Sequence, residues 1–444
     1  MQPIRFIHAA DLHLDAAFSG ISREAPSDLA LRLQRSTFTA LTRLVELCER
    51  ERPDFLLLAG DVYNAEDQSL RAQLAVHDAC ARLSRLGIPV FIVHGNHDPL
   101  SSRVNSLRWP DSVTVFGEEV EAVPVGGGEN GEPLAVVHGV SHASARETRN
   151  LAARFRRGPE NCAHIGLLHA APGDADGSSR YAPFAQEDLV ASGMDYWALG
   201  HIHDRREVCR RPLAMYPGCP QGLHINEAGE KGCLLVTMTP SGEGDWTAKA
   251  EFRPLGPVQW DILEVALDDP ASEAEASPAV KCGGKESASP ELSLDALEER
   301  LRNALDEAAE KLCPGCEALV VRLRLTGRTA LDGALRREAV AADLLERLRE
   351  SGEHVWIKDM EVLTRLPVER GELAGRDDLL GEIFRLGDAG RAAPEKLEAL
   401  RREALEPLFG HSRLRKVLEP LTETEMNRLL DDAESLCMDL LEND

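Results

Sequence analysis

Gly95-Asn96-His97-Asp98, placed directly after the apolar run Pro89-Val90-Phe91-Ile92-Val93, is the stretch on which the fold turns. A short, uninterrupted apolar run that stops at glycine and opens into polar residues reads as a buried strand whose carboxyl end feeds a site. Two earlier stretches repeat the pattern. Phe55-Leu56-Leu57-Leu58-Ala59 runs into Gly60-Asp61, and the strand Ile4 to His8 runs into Asp11-Leu12-His13. Amphipathic helical patterns over 29–52 and about 70–86 separate the three strands. This β-α-β-α-β order predicts a parallel sheet covered by helices.

From Val113 to about Phe252 the apolar runs shorten and turns crowd in, at Val113 to Phe116, Leu134 to His138, Ile165 to His169, Tyr196 to Leu199 and Cys233 to Met238. Their spacing predicts a second, mostly antiparallel sheet packed on the first. The class is therefore α/β, a two-sheet α/β/β/α sandwich over residues 1–257. Residues 258–370 read as a small α+β domain: strands at 260–267, 318–325 and 355–366, and helices at 294–312 and 331–349. Asp268 to Pro290, rich in Ala, Ser, Glu, Gly and Pro with no apolar period, reads as a solvated insertion. Only helical patterns follow over 371–444.

The 444 residues carry 75 Asp plus Glu against 50 Lys plus Arg, a net charge of −25, so the overall field does not draw nucleic acid. A phosphate-bearing substrate would have to be held locally by fixed cations. No apolar run approaches the roughly 18 residues of a membrane helix, and Met1-Gln2-Pro3-Ile4-Arg5 lacks a signal pattern, so the expectation is a cytoplasmic protein. The ten cysteines are scattered and read as reduced thiols, with Cys313-Pro-Gly-Cys316 an ordinary turn.

The strand ends collect Asp11, His13, Asp61, Asn96, His97, Asp98, His169, His201 and His203. They hold only oxygen and imidazole ligands, the inventory of a site for two divalent ions. Two such ions about 3.5–4 Å apart can activate a water and grip both phosphoryl oxygens of an ester, with a carboxylate bridging them. Their charge would attract a phosphoester despite the acidic total.

The ordered series DxH, GD, GNHD, H and GHxH resembles the calcineurin-like metallophosphoesterases, and its spacing and flanks are similar to the SbcD-type DNA repair nucleases. Tyr216-Pro-Gly, Gln221-Gly-Leu-His-Ile-Asn226-Glu and Gly229-Glu-Lys-Gly-Cys-Leu-Leu-Val236 most resemble the YhaO-type branch. The resemblance covers about residues 4–256. It implies one metal on Asp11, His13 and His203 and the other on Asn96, His169 and His201, with Asp61 bridging. It makes His97 the catalytic histidine and Asp98 the group that orients it. The metal it implies is manganese, the activity metal-dependent hydrolysis of DNA phosphodiesters in repair or recombination, by exonuclease or endonuclease action. It further implies that 258–370 caps the site, that C-terminal helices dock on an SbcC-like coiled-coil ATPase, and that the protein is a homodimer. One position departs from the pattern: many nucleases of this branch have a histidine where Asn64 stands, and an amide cannot shuttle protons near neutral pH.

Other residues invite plainer readings. His8, His94, His138 and His164 sit within or beside strands and read as structural, while His224 is balanced between lining the site and not. Arg146, Arg149, Arg154, Arg156 and Arg157 form a basic segment, read as helical, whose charges either track DNA or pair locally. Arg322, Arg324, Arg328, Arg336 and Arg337 pose the same choice. The terminal helices 400–409 and 425–441 either fold back on their own domain or receive a partner. Two functional alternatives stand beside DNA hydrolysis: a phosphodiesterase for small or cyclic nucleotides, and a weakly active scaffolding subunit that holds an ATPase on DNA ends.

Overall fold

The computed structural model describes residues 2–16, 18, 25–64, 69–102, 108–127, 132–173, 181–242, 244–267, 292–350, 355–367, 370–409 and 423–442. The insertion read at 268–290 lies outside the described residues.

The first sheet grows from the apolar runs identified above. β1 (Ile4–Ala9), β2 (Phe55–Ala59) and β3 (Val90–Val93) lie side by side and parallel. Helices Ser27–Glu51 and Leu70–Arg85 supply the crossovers. Alternate strand residues serve opposite faces: Ile7, Leu56, Leu58 and Ile92 pack under Leu44, Val45, Cys48, Val76 and Leu83 of the two helices. Phe6, Phe55, Leu57, Phe91 and Val93 point the other way, into the core shared with the second sheet.

Three further strands complete this sheet, and they correct the sequence reading. β4 (Val113–Val115) pairs with β3, and β11 (Gly232–Pro240) runs antiparallel between β1 and β12 (Trp246–Pro254). The runs at 113–116 and 233–238 thus belong to the first sheet. A short apolar run signals burial but not which of two stacked sheets it joins.

The second sheet has the order β5 (Glu121–Val125), β6 (Ala135–Val140), β7 (Ala163–His169), β8 (Tyr196–Gly200), β10 (Leu213–Tyr216) and β9 (Arg206–Arg210). Its interior pairs, β6 with β7, β7 with β8 and β8 with β10, are parallel; only the rims, β5 with β6 and β9 with β10, are antiparallel. The expectation of a mostly antiparallel sheet therefore fails. Every residue of β6, β7 and β8 is buried, as parallel strands covered on both faces require. Trp197 of β8 packs outward against Phe155 and Leu189 of the outer cover, in which, among the described residues, only the helix Gln186–Ala191 and the 3₁₀ turn Ala152–Arg154 are helical. The basic segment 146–157 is accordingly mostly loop, not the expected helix.

His8 of β1 joins the two sheets: Nδ1 lies 3.0 Å from the Tyr196 hydroxyl and Nε2 3.1 Å from the Leu199 carbonyl oxygen. His138 and His164 form a second buried pair, 2.9 Å apart, within the second sheet. Both observations fit the structural reading of these histidines.

β13 (Val258–Ala266), β14 (Ala318–Thr326) and β15 (Val355–Val362) form a three-stranded sheet, with helices Leu294–Glu310 and Glu338–Arg349. Trp260, Val320 and Trp356 pack with Leu29 and Leu33 of the first long helix and with Ile225. Arg43 of the same helix pairs with Glu317 at 2.8 Å. This small sheet accordingly falls in one compact unit with the two large ones, comprising 1–265, 294–325 and 335–363. The turn between Cys313 and Cys316 forms as expected, but its two sulfurs are joined as a disulfide, which corrects the reading of these two cysteines as reduced thiols.

The second unit comprises 266–293, 326–334 and 364–444. Within it, helices Leu379–Ala392 and Glu423–Glu442 pack through Leu380, Phe384 and Met438, and Arg391 reaches Glu434 at 2.8 Å. Among the described residues no helix is long and apolar enough to cross a membrane.

Candidate metal centre

The loops that follow β1 and β2 are laced together. Asp11, His13 and Leu14 donate their backbone N–H groups to the carbonyls of Gly60, Asp61 and Val62 at 3.0, 3.0 and 3.1 Å. Asp11 (φ 52), His13 (φ 42), Asp61 (φ 49) and His201 (φ 108) all adopt positive φ, which costs a non-glycine residue about 1–3 kcal/mol. The lacing holds three of these four backbones where their side chains converge. Glycine permits the close approach: a Cβ on Gly95 would stand 2.3 Å from Asp61 Oδ1, and one on Gly200 1.8 Å from the Ala59 carbonyl oxygen. The glycines in GNHD and GHxH thus make room for the other strands.

Two groups of side chains result, Asp11 with His13 and His203, and Asp61 with His169 and His201. Asn96 joins the second group, its Oδ1 3.1 Å from both His169 Nε2 and His201 Nδ1. Asp61 lies between them, Oδ2 being 3.3 Å from His169 Nε2 and 3.8 Å from His13 Nε2. All seven expected ligands therefore meet in one place, in the grouping the resemblance implied.

The hydrogen bonds fix which ring nitrogen faces inward. His169 Nδ1–H donates to the Ala59 carbonyl at 2.9 Å, His13 Nδ1–H to Asn64 Oδ1 at 2.8 Å, and His203 Nδ1–H to Glu227 Oε1 at 2.6 Å. Each ring so held presents Nε2 to the centre. With those tautomers, His13 Nε2 and His203 Nε2 face one another lone pair to lone pair at 3.1 Å. Such an arrangement is repulsive unless a cation or a proton lies between them, so the residues fit a divalent metal.

The charges point the same way. Burial lifts the Asp11 carboxyl to about 6. Burial would lower His169, but the adjacent Asp61 carboxylate outweighs it and raises the imidazole to about 9, so without metal a proton takes the place of a cation. Burial drops His201 to about 3, which keeps it a neutral ligand. Oxygen and nitrogen donors with no thiolate suit a hard or borderline divalent ion.

His97 is exposed at the rim. Its N–H donates to Asp61 Oδ1 at 2.9 Å, and its ring stands edge-on to His13 with centroids 5.1 Å apart. Asp98 is elsewhere: it is fully buried and accepts from Gly95 N–H at 2.7 Å and Val62 N–H at 2.9 Å, with His94 Nδ1 3.2 Å from it. The carboxylate that was to orient the His97 ring instead ties the GNHD loop to the loop after Asp61.

Sequence reasoning gave no role to two partners. Asn64, noted only as a departure, holds His13, and Glu227, quoted within the Gln221 to Glu227 stretch, holds His203. Cys219 also approaches Glu227, but the thiol is buried and held well above its ordinary pKa, and the His203–Glu227 hydrogen bond leaves no open ligand pair there. The Tyr181 ring lies tilted by 35° against His201, with ring centroids 4.8 Å apart.

The arginines mostly pair locally. Arg149 meets Glu147, Arg154 meets Glu119, and Arg157 meets Asp195. Arg322 meets Asp359 and Glu361, and Arg324 meets Glu361.

Parts of the chain are similar to known proteins. Residues 4–205 match the calcineurin-like phosphoesterase family, and residues 287–365 match the family described as metallophosphoesterase YhaO, middle domain. The chain is similar to an uncharacterized metallophosphoesterase YhaO of Bacillus subtilis, 39% identical over 269 residues that cover 60% of this chain and 64% of that protein. It is 26% identical over 269 residues to the DNA double-strand break repair protein Mre11 of Aeropyrum pernix, covering 58% of this chain and 64% of that protein. A Sulfurisphaera tokodaii protein of the same description is 24% identical over 219 residues, covering 46% of this chain and 50% of that protein. The matches thus span less than two thirds of each relative. Residues 4–205 are thus similar to the calcineurin-like phosphoesterases, and residues 287–365 to the middle domain of metallophosphoesterase YhaO.

Proposed function

We propose that the protein is a metal-dependent phosphodiesterase acting on DNA, in repair or recombination. The observation that carries the hydrolytic reading is the convergence of Asp11, His13, Asp61, Asn96, His169, His201 and His203, with three imidazoles held as Nε2 donors. DNA as substrate is supported by the similarity to the Mre11 proteins, which are described as DNA double-strand break repair proteins.

Two divalent cations, manganese in this proposal, would be held by Asp11, His13 and His203 and by Asn96, His169 and His201, with Asp61 common to both. When bound they supply Lewis-acid activation of water and charge neutralisation at the phosphoryl group. The chain's own residues do the rest. Asp61 fixes the rim by accepting the His97 N–H. The exposed His97 imidazole is then free to deliver a proton from its ring to the departing sugar oxygen. Buried Asp98 keeps that loop rigid, so it is a positioning residue.

We further propose an SbcC-like coiled-coil ATPase as partner, engaged by the C-terminal helices, and a homodimeric assembly. A small or cyclic nucleotide diester is the second reading, favoured by the net charge of −25 and by the locally paired arginines.

The deciding experiment incubates the protein and its His97→Ala variant with manganese and labelled linear and circular DNA, beside a generic diester. Cleavage of DNA by the parent alone supports the reading. Hydrolysis of the generic diester without DNA cleavage moves the substrate to the small-molecule class.

A further inference from the structure

Glu227 belongs to a stretch, Gln221 to Glu227, that the hydrolytic reading leaves without a role. Its side chain is 7% exposed, and among the described residues its ion-pair partners are the imidazoles of His203 and His224. One carboxylate oxygen, Oε1, receives two imidazoles: His203 Nδ1 at 2.6 Å and, from the same turn, His224 Nε2 at 3.1 Å. The other, Oε2, accepts the Leu223 N–H at 2.7 Å. His224 is 39% exposed, so the cluster runs from the metal centre to solvent. The turn itself is pinned from below. Gln221 exchanges hydrogen bonds with Val258, 2.8 Å to its carbonyl and 3.1 Å from its N–H, and Trp260 Nε1 donates to the Gly222 carbonyl at 2.8 Å.

The backbone around His203 is fixed from the same side. Lys231 Nζ donates to the His203 carbonyl at 3.1 Å and to Asp204 at 2.9 Å, while Cys219 N–H reaches the same carbonyl at 3.2 Å. His13 and His169 are oriented by an amide and a peptide carbonyl; among the seven ligands, His203 is the imidazole oriented by a carboxylate. A charge-assisted bond of this kind both selects the Nδ1–H tautomer and makes Nε2 a better donor.

We infer that Glu227, with His224 as its solvent-facing partner, is the positioning residue that fixes His203 as an Nε2 ligand, so that the Asp11, His13 and His203 position depends on it for metal affinity. This rests on the metal-centre reading above. Removal of such a partner lowers metal affinity by about 10–100-fold.

The test uses the full chain, with Mn²⁺ binding followed by calorimetry and metal analysis in the parent, Glu227→Gln and Glu227→Asp. The expected result is two ions in the parent, weakening of one position by about 10–100-fold in Glu227→Gln with the other unchanged, and partial recovery in Glu227→Asp. A second, metal-free measurement guards against misfolding: the ¹⁵N shifts of His203 should report a proton held on Nδ1 in the parent and loss of that proton from Nδ1 in Glu227→Gln. Parental affinity at both positions together with an unchanged tautomer would overturn the inference and leave the metal centre standing. A folded parent that binds fewer than two ions would overturn the centre itself, and the inference with it.

Discussion

Replacing Gly95 by alanine places one methyl group at the most crowded point of the centre. The new Cβ would lie 2.3 Å from Asp61 Oδ1 and 2.7 Å from both Cδ2 and Nε2 of His169. To restore even a tight contact of about 3 Å, Asp61 must withdraw by about 0.7 Å, and His169 cannot follow freely because its Nδ1 is tied to the Ala59 carbonyl. The strain should cost about 1–3 kcal/mol of stability, which a unit with this much buried core survives. The functional loss should be larger in proportion, because a misplacement approaching 1 Å in a catalytic constellation costs about 10²-fold in rate. Metal content by elemental analysis, turnover of a generic diester and a urea titration would be compared with Gly127→Ala, whose added Cβ meets nothing within 4 Å. A folded Gly95→Ala protein with two bound ions and parental turnover would refute the claim that the glycine is there to let Asp61 and His169 meet.

His97→Ala should retain both ions and lose about 10²–10⁴-fold in turnover, as removal of a general acid does; parental turnover would contradict the role given to the exposed ring. Asp61→Asn should lower metal stoichiometry, because the side chain between the two groups would no longer carry the charge that bridges them, and elemental analysis reads this directly. Asn64→Ala should weaken metal binding by about 10–100-fold through loss of the bond that fixes His13, and unchanged affinity would remove Asn64 from the centre. Burial holds His8 at about 3, against an ordinary 6.5, so its contribution to stability is present above pH 6.5 and is lost as pH falls toward 3. The urea midpoint of the metal-free protein should therefore fall less between about pH 7.5 and about pH 5 in His8→Gln than in the parent, and equal slopes would show that His8 does not titrate as described.

The sequence makes the ligands legible because each follows an apolar run that could only be a buried strand. β2 is read to the residue, Phe55 to Ala59, and the helix Ser27–Glu51 to within two residues. The second sheet is misread for a physical reason: β6 to β8 are buried on both faces, so their sequences lack the alternation that would betray strand direction. Asp98 is misassigned because adjacency in sequence to His97 says nothing about direction across a tight loop, where consecutive side chains diverge. Glu227 is invisible for the opposite reason. It stands 24 residues from His203, and no spacing rule links a turn after one strand pair to a ligand before it.

The four ligands held at positive φ have a consequence for how such a centre would decay over evolutionary time. Asp, Asn, His and Gly tolerate the left-handed region better than β-branched residues do. A lineage released from catalysis would therefore still keep residues of that kind at 11, 13, 61 and 201, simply to preserve the turns. Asn96, His169 and His203 lie outside that constraint, free to drift once the metals are no longer needed. Among relatives, those three positions, more than the conspicuous aspartates, should separate working enzymes from retired ones.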